Sequence, residues 1–362
     1  MNHRTNNFDA LRLLGALLVA VSHSATIVLS SEPLGDATGN QTLGGVGLNI
    51  FCVISGFLIT KSRLSNPAPR FFRARALRIF PALFVAIPLM AFVLGPLFTS
   101  LSTREYFSTG QTWQFLGTMF VFPLNVSLPG VFGGAPLVGQ LYSLTAELSF
   151  YILVGLLAPW RHFGKLMIAA TVAVLLYFHY HDYTSLSFSE IISVKGFGAN
   201  LFFFPLRLGM TCVYYLFAGS VIALYIKRPE RLAWLAPALL AAWIAALFLP
   251  NRLHYDLAEM LIFPFLVIGV ALSTKFIVRI PRAFGDTSYG IYIYHFAIAE
   301  AVLTLTVAHI GRTWYLIAIA VALSTAVAWI SFRLIEKPAL SIKDRSPGKA
   351  VNTNTTVLPS PP

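Results

Sequence analysis

Residues 12–23 read RLLGALLVAVSH: an apolar, helix-forming run with a guanidinium at one end and an imidazole at the other. Apolar residues continue the run to about 8–30, enough to cross a bilayer, which takes about 20 mostly apolar residues. An ionisable group within such a span costs about 2.5–3.5 kcal/mol on insertion scales and usually faces a cavity rather than lipid. Arg12 and His23 are eleven positions apart, about three helical turns, so both project from one face at a separation of about 16 Å along the axis. Snorkelling to the headgroups accounts for a lone Arg near a helix end. A lone buried His is usually a satisfied structural residue. Two such residues on one stripe point instead to a shared polar pocket.

The rest of the chain has the same character. Of 362 residues, 57% are hydrophobic and only 11% charged, with a mean hydropathy of +0.73; soluble domains carry about 25% charged residues. The pattern predicts an all-α integral membrane protein, a bundle of about ten transmembrane helices at 8–30, 43–61, 77–98, 137–160, 165–181, 199–226, 232–249, 256–274, 287–308 and 314–335. The first run is too long for a signal-peptide core and has no clear small-residue cleavage site, so it reads as a retained span. With these spans, 20 basic residues fall in loops on one side and 4 on the other, which places the N- and C-termini in the cytoplasm. The net charge of +12 is therefore read as anchoring at the cytoplasmic membrane surface, and nucleic acid is not an expected partner. Cys52 and Cys212, both within spans, suggest neither a disulfide framework nor a metal cluster. Residues 1–343 form one transmembrane domain in this reading, and 344–362 a disordered cytoplasmic tail. The connection 99–136, rich in Gly, Pro and aromatics, is too broken for an eleventh span and is expected to lie at the interface as a partial cover.

Other spans carry polar residues of their own. Glu147 sits near the centre of the fourth (LYSLTAELSFY), and Arg207 lies in the sixth (FFFPLRLGM), towards the external side. Tyr289, Tyr292 and His295 recur at three-residue steps in SYGIYIYHF and share a helix face. Glu259 and Glu300 are further buried acids without a motif around them. Arg70, Arg73, Arg75 and Arg78 crowd the cytoplasmic entrance of the third span in RFFRARALRIFPAL. Such a cluster serves as a topology signal and anionic-lipid contact, or binds phosphates through guanidinium forks. No Walker A or GxGxxG loop is present.

Taken together, these residues resemble the acyltransferase-3 family, integral-membrane enzymes that O-acylate sugars and related acceptors. The resemblance covers almost the whole chain and rests on six stretches in order: Arg12-x10-His23, GLNIFCVISGFLIT, RALRIFPAL, YSLTAELSFY, SYGIYIYHF and EKPA. Cys52 stands where the family usually has Phe, and Tyr142 where it usually has Trp; no soluble hydrolase-like domain is appended.

The resemblance implies acetyl-CoA or another acyl-CoA as co-substrate, reaching the pocket from the cytoplasm of a bacterial inner-membrane protein. It implies a glycan or lipid-linked saccharide as acceptor, and polysaccharide biosynthesis proteins as partners. No metal is expected. On the residues, His23 is the candidate general base, because imidazole titrates near working pH. Glu147 is expected to orient it, as a carboxylate does in hydrolase triads, and Arg12 to polarise the thioester carbonyl. Arg75, Arg78 and Arg73 would hold the phosphates of coenzyme A. Tyr289 and His295 would line the pocket, and Arg207 would meet an anionic acceptor. A transporter or flippase of a glycan is the rival from another class, with neither an inverted repeat nor paired Gly/Pro-broken spans to support it.

Overall fold

The computed structural model describes residues 6–121, 126–180, 206–275, 277–278, 280 and 285–342, with 206–208 described by backbone alone. The expected tail 344–362, the first residues (199–205) of the expected sixth span and the side chain of Arg207 lie outside the described residues. Among those described there is no strand, only an isolated bridge between Thr99 and Val131.

The helices are α1 (Phe8–Leu29), α2 (Pro33–Thr38), α3 (Leu43–Leu64), α4 (Ala68–Phe98), α5 (Thr103–Ser108), α6 (Gly110–Leu116) and α7 (Tyr142–Leu157). After these come α8 (Phe163–Tyr180), α9 (Leu206–Tyr225), α10 (Leu232–Ala246), α11 (Arg252–Ala271), α12 (Ser288–Ile310) and α13 (Trp314–Ile342). Among the described residues, eight helices are long and apolar enough to cross a membrane. A ninth span is counted if α9 and α10, bent by 113° across a short break, are taken as one. The sequence reading of about ten counted those two arms separately. Large apolar side chains such as Leu97, Trp234, Phe248 and Leu334 stand exposed on the outside of the bundle; lipid is the solvent that suits them, and the chain is a multi-pass membrane protein.

Helix α3 occupies the middle, with α1 packed on one side and α9 on the other. Both contacts depend on glycine. A Cβ at Gly47 would sit 2.4 Å from the carbonyl oxygen of Gly15, and one at Gly56 would sit 2.1 Å from that of Leu216. Lipid tails are as apolar as Leu, so helices in a membrane associate through such close backbone approach rather than by escaping water. A buried hydrogen bond from Thr60 to the Ser220 hydroxyl (2.8 Å) adds to the α3–α9 contact. On its other side, α1 packs against α12 and α13.

Two spans contain a widened, π-helical turn, at Met90–Leu94 in α4 and at Phe332–Glu336 in α13. In each, a proline stands two residues beyond the turn, Pro96 and Pro338. A proline ring inside an α-helix clashes with the carbonyl four residues back, and one extra residue per turn relieves the clash. Pro96 has no N–H for the carbonyl of Ala91, which accepts instead from the Tyr106 hydroxyl at 2.8 Å. That bond ties α5, in the connection 99–136, down onto α4. The EKPA stretch, read from sequence as lying after the last span, thus continues it to Ile342 and turns Glu336 inward, 2% exposed.

These contacts set an expectation. Gly56→Ala should cost about 1–3 kcal/mol, the usual scale of overpacking, and lower the thermal unfolding midpoint of the detergent-solubilised protein. Gly110→Ala, whose added Cβ meets nothing within 4 Å, should leave the midpoint unchanged.

Candidate active site

The polar residues inside the bundle gather around two cavities. The smaller, about 80 Å³, lies at the end where α3 finishes and α4 begins, and Arg12, Arg75 and Arg78 stand in its wall with Ser55, Glu147 and Tyr289. The larger, about 850 Å³, opens at the opposite end and is lined by His23, Asn40, Asn49, Gln140 and Tyr142, among others. Leu48 and Tyr292 belong to both walls. The two chambers therefore adjoin, with these two side chains in the partition between them. Tyr292 is held there by hydrogen bonds with the Ser143 hydroxyl, at 2.5 Å, and the Gln140 carbonyl.

In the smaller chamber, α4 presents its arginines at different angles. Arg78 forms an ion pair with Asp286 at 2.5 Å, and Ser288 donates to the other carboxylate oxygen. Burial alone would push the Asp286 carboxyl up; Arg78, then Arg12, hold it at about 2. The Arg75 guanidinium lies over the rings of Phe71 and Tyr151 and donates to Ser62 at 3.1 Å, while its buried Nε has no partner. Arg73 turns away and donates to the carbonyl of Ile342. One oxygen of Glu147 accepts from both Ser55 (2.8 Å) and Tyr151 (2.6 Å).

In the larger chamber, His23 reaches in from α1 with its Nε2 beside Gly44, 3.8 Å from where a Cβ on that residue would stand. Its Nδ1 lies 2.7 Å from Nε2 of His295, which is fully buried on α12. Phe296 packs against the His23 ring at 4.6 Å between centroids. The short helix α2 closes one rim. Glu32 caps it, accepting from the Gly35 and Leu43 amides and from the Ser22 hydroxyl, one residue before His23.

A family model described as an acyltransferase domain, Acyl_transf_3, matches residues 5–333. The chain belongs to the acyltransferase-3 family. It is 29% identical to nodulation protein 10 of Rhizobium leguminosarum bv. viciae, over 94% of both chains. It is also 30% identical to an O-acetyl transferase of Shigella phage Sf6, over 94% of this chain and 97% of that one. No solved structure matches it. The chain is thus an acyltransferase, and family membership favours an enzyme over the glycan carrier considered from sequence.

Set on this acyltransferase, the residues singled out in the sequence divide. Arg12, Arg75, Arg78, Glu147 and Tyr289 come together in the smaller chamber. Arg12 and His23 share a helix but not a chamber, so the single tunnel expected around them is two chambers with a partition, and Arg12 is not beside His23 as an oxyanion partner. Glu147 does not orient His23: its carboxylate is engaged with Ser55 and Tyr151, and His295 occupies the position next to Nδ1. His295 lines neither cavity, being 0% exposed behind His23. Arg73 is outside the smaller chamber, and the Arg207 side chain lies outside the described residues.

Sequence reading missed Asp286, Ser55 and Tyr151. Tyr151 had a visible signal, four residues after Glu147 on the same helix face. Asp286 precedes α12 by two residues and had none.

The Arg78–Asp286 pair should show in a double-mutant cycle. Arg78→Ala and Asp286→Asn, alone and together, should give a coupling of about 1 kcal/mol or more in unfolding free energy. Because the carboxyl is depressed, the contribution is present above the ordinary carboxylate range and is lost only as pH falls towards 2. The coupling should therefore be equal at pH 5 and pH 7.5.

Proposed function

We propose that this acyltransferase moves an acyl group, acetyl before others, from cytoplasmic acyl-CoA to a hydroxyl of a cell-surface or exported polysaccharide or of a lipid-linked glycan. The observation that carries this reading is the adjoining pair of chambers, guanidinium-lined on one side and His23-lined on the other. The name of the phage relative supports O-acetyl transfer. The basic bias of the loops supports about ten spans with both termini in the cytoplasm, in the inner membrane of a bacterium. The tail at 344–362 would then be cytoplasmic, and polysaccharide biosynthesis proteins would supply the acceptor.

In this scheme the smaller chamber receives the donor. Arg75, with an unpartnered Nε, and Arg12 suit the phosphates and the amide-bearing arm of acyl-CoA. Arg78 is already paired with Asp286 and acts by holding the entrance in shape. The smaller chamber would take only the slender pantetheine end, with the nucleotide left at the basic surface. The thioester would then cross between Leu48 and Tyr292. The larger chamber, with the amides of Asn40, Asn49 and Gln140 and the ring of Tyr142 in its wall, suits a polyhydroxyl acceptor, which needs both donors and acceptors.

The chemistry at His23 is a single acyl transfer. Nε2 takes the proton of the acceptor hydroxyl as its oxygen attacks the thioester carbon. The carbon–sulfur bond then breaks, the proton passes from His23 to the departing thiolate, and the products are an ester and the free thiol of coenzyme A. The chain's residues need no metal for this step.

Expression of His23→Ala in place of wild type should leave protein levels intact and remove the acetyl mass increment from the surface polysaccharide, read by mass spectrometry. Arg75→Ala should keep the modification but raise the KM for acetyl-CoA about tenfold in isolated membranes, with kcat little changed. Wild-type modification and KM in both variants would refute the assignment of donor and base.

A further inference from the structure

We infer that His295 is a positioning residue, which holds His23 in the tautomer whose unprotonated Nε2 faces the acceptor chamber. The inference rests on the reading of His23 as base and adds a second residue to it. It follows from which groups can donate. His295 Nδ1 lies 3.1 Å from the carbonyl oxygen of Ile291 and 3.0 Å from that of Tyr292. A carbonyl oxygen only accepts, so Nδ1 of His295 carries the hydrogen. In a neutral ring the other nitrogen, Nε2, is then a bare lone pair. At 2.7 Å from it, Nδ1 of His23 must be the donor, which leaves Nε2 of neutral His23 unprotonated and turned towards the space beside Gly44.

The parts of this arrangement are fixed from behind. Gln140 donates through its amide to the carbonyls of Tyr292 and Ile293, at 2.9 and 3.1 Å. One of these is the same carbonyl that anchors His295. The two imidazoles lie nearly parallel, 13° between planes and 5.1 Å between centroids. His295 is shut off from both chambers, so it acts through His23 and not on substrate. When His23 takes the hydroxyl proton, its Nδ1–H remains bonded to the neutral His295, and no second proton has to move. A carboxylate in this place would add a charge inside the bundle; an imidazole supplies the same acceptor without one.

The test uses the full-length protein in isolated membranes, with radiolabelled acetyl-CoA as donor and label in the polysaccharide fraction as readout. His295→Leu, which fills space but accepts nothing, should lower kcat about 100-fold and leave the KM for acetyl-CoA within threefold. His295→Gln, whose amide oxygen reaches the position of the lost Nε2, should retain kcat within tenfold of wild type. Wild-type kcat in His295→Leu would overturn the inference, as would a loss in His295→Gln equal to that in His295→Leu with protein levels unchanged. Wild-type protein offers a further check, in which a variant serves only to assign the signal. Nitrogen-15 NMR of ring-labelled histidine in nanodiscs should show His23, assigned by its absence in His23→Ala, protonated at Nδ1 and bare at Nε2; the opposite tautomer would overturn the proposal. Should His23→Ala itself transfer acetyl at the wild-type rate, the base assignment fails. Should His23→Ala be inactive while His295→Leu is fully active, only the positioning role fails.

Discussion

The approach of backbone to backbone around α3 is the constraint on which the rest of the molecule depends. In water, a central helix is held by the surface it hides. In hydrocarbon that drive is missing between helices, and α3 is held because Gly47 lets it reach the carbonyl of Gly15 and Gly56 that of Leu216. Its position then decides the site. Leu48 and Cys52, one face of α3, stand in the chamber walls, and Gly44 lets α3 lie close to Ser22, where a Cβ would stand 3.0 Å from the hydroxyl oxygen. A Cβ at Gly47 or Gly56 would force α1 or α9 away from α3.

Prolines add a second constraint with a local answer. Pro96 and Pro338 each follow a widened turn, and each turn frees or redirects groups that the surroundings then use. In α4 the freed carbonyl of Ala91 anchors Tyr106 and with it the connection 99–136. In α13 the extra residue swings Glu336 into the bundle near Arg78. A proline that would end a helix in water is kept within a span, because in hydrocarbon every carbonyl it releases must find a donor inside the protein.

Much of the fold was legible in residue order. The apolar runs located the spans from α1 to α13 to within a few residues at most ends, because the length of such a run is set by bilayer thickness. The bend between α9 and α10 was not, since hydropathy records that an apolar run is broken but not the angle at the break. At the site, periodicity correctly set Arg12 and His23 on one face of α1, but it could not show that Tyr292, from a helix nearly 270 positions later, would divide the space between them. The pairing of Glu147 with His23 failed for a related reason. A buried acid and a buried imidazole suggest each other by chemistry alone, whereas the actual partners of Glu147 come from α3 and from its own next turn.

The division into two chambers also separates two electrostatic tasks that are hard to combine in one. In the proposed reaction the polyanionic donor calls for guanidinium groups, which Arg12 and Arg75 supply at one end, with Arg78 held by Asp286. The proposed base, His23, calls instead for an uncharged hydrogen-bond acceptor at its rear. His295 supplies that acceptor at the other end; of the carboxylates in the same chamber wall, Glu32, Asp36, Asp256 and Glu259, Glu32 is engaged by two amides and a hydroxyl. Distance and the Leu48–Tyr292 partition keep the two ends apart within one bundle, and the proposed transfer has the thioester pass the narrow place between them.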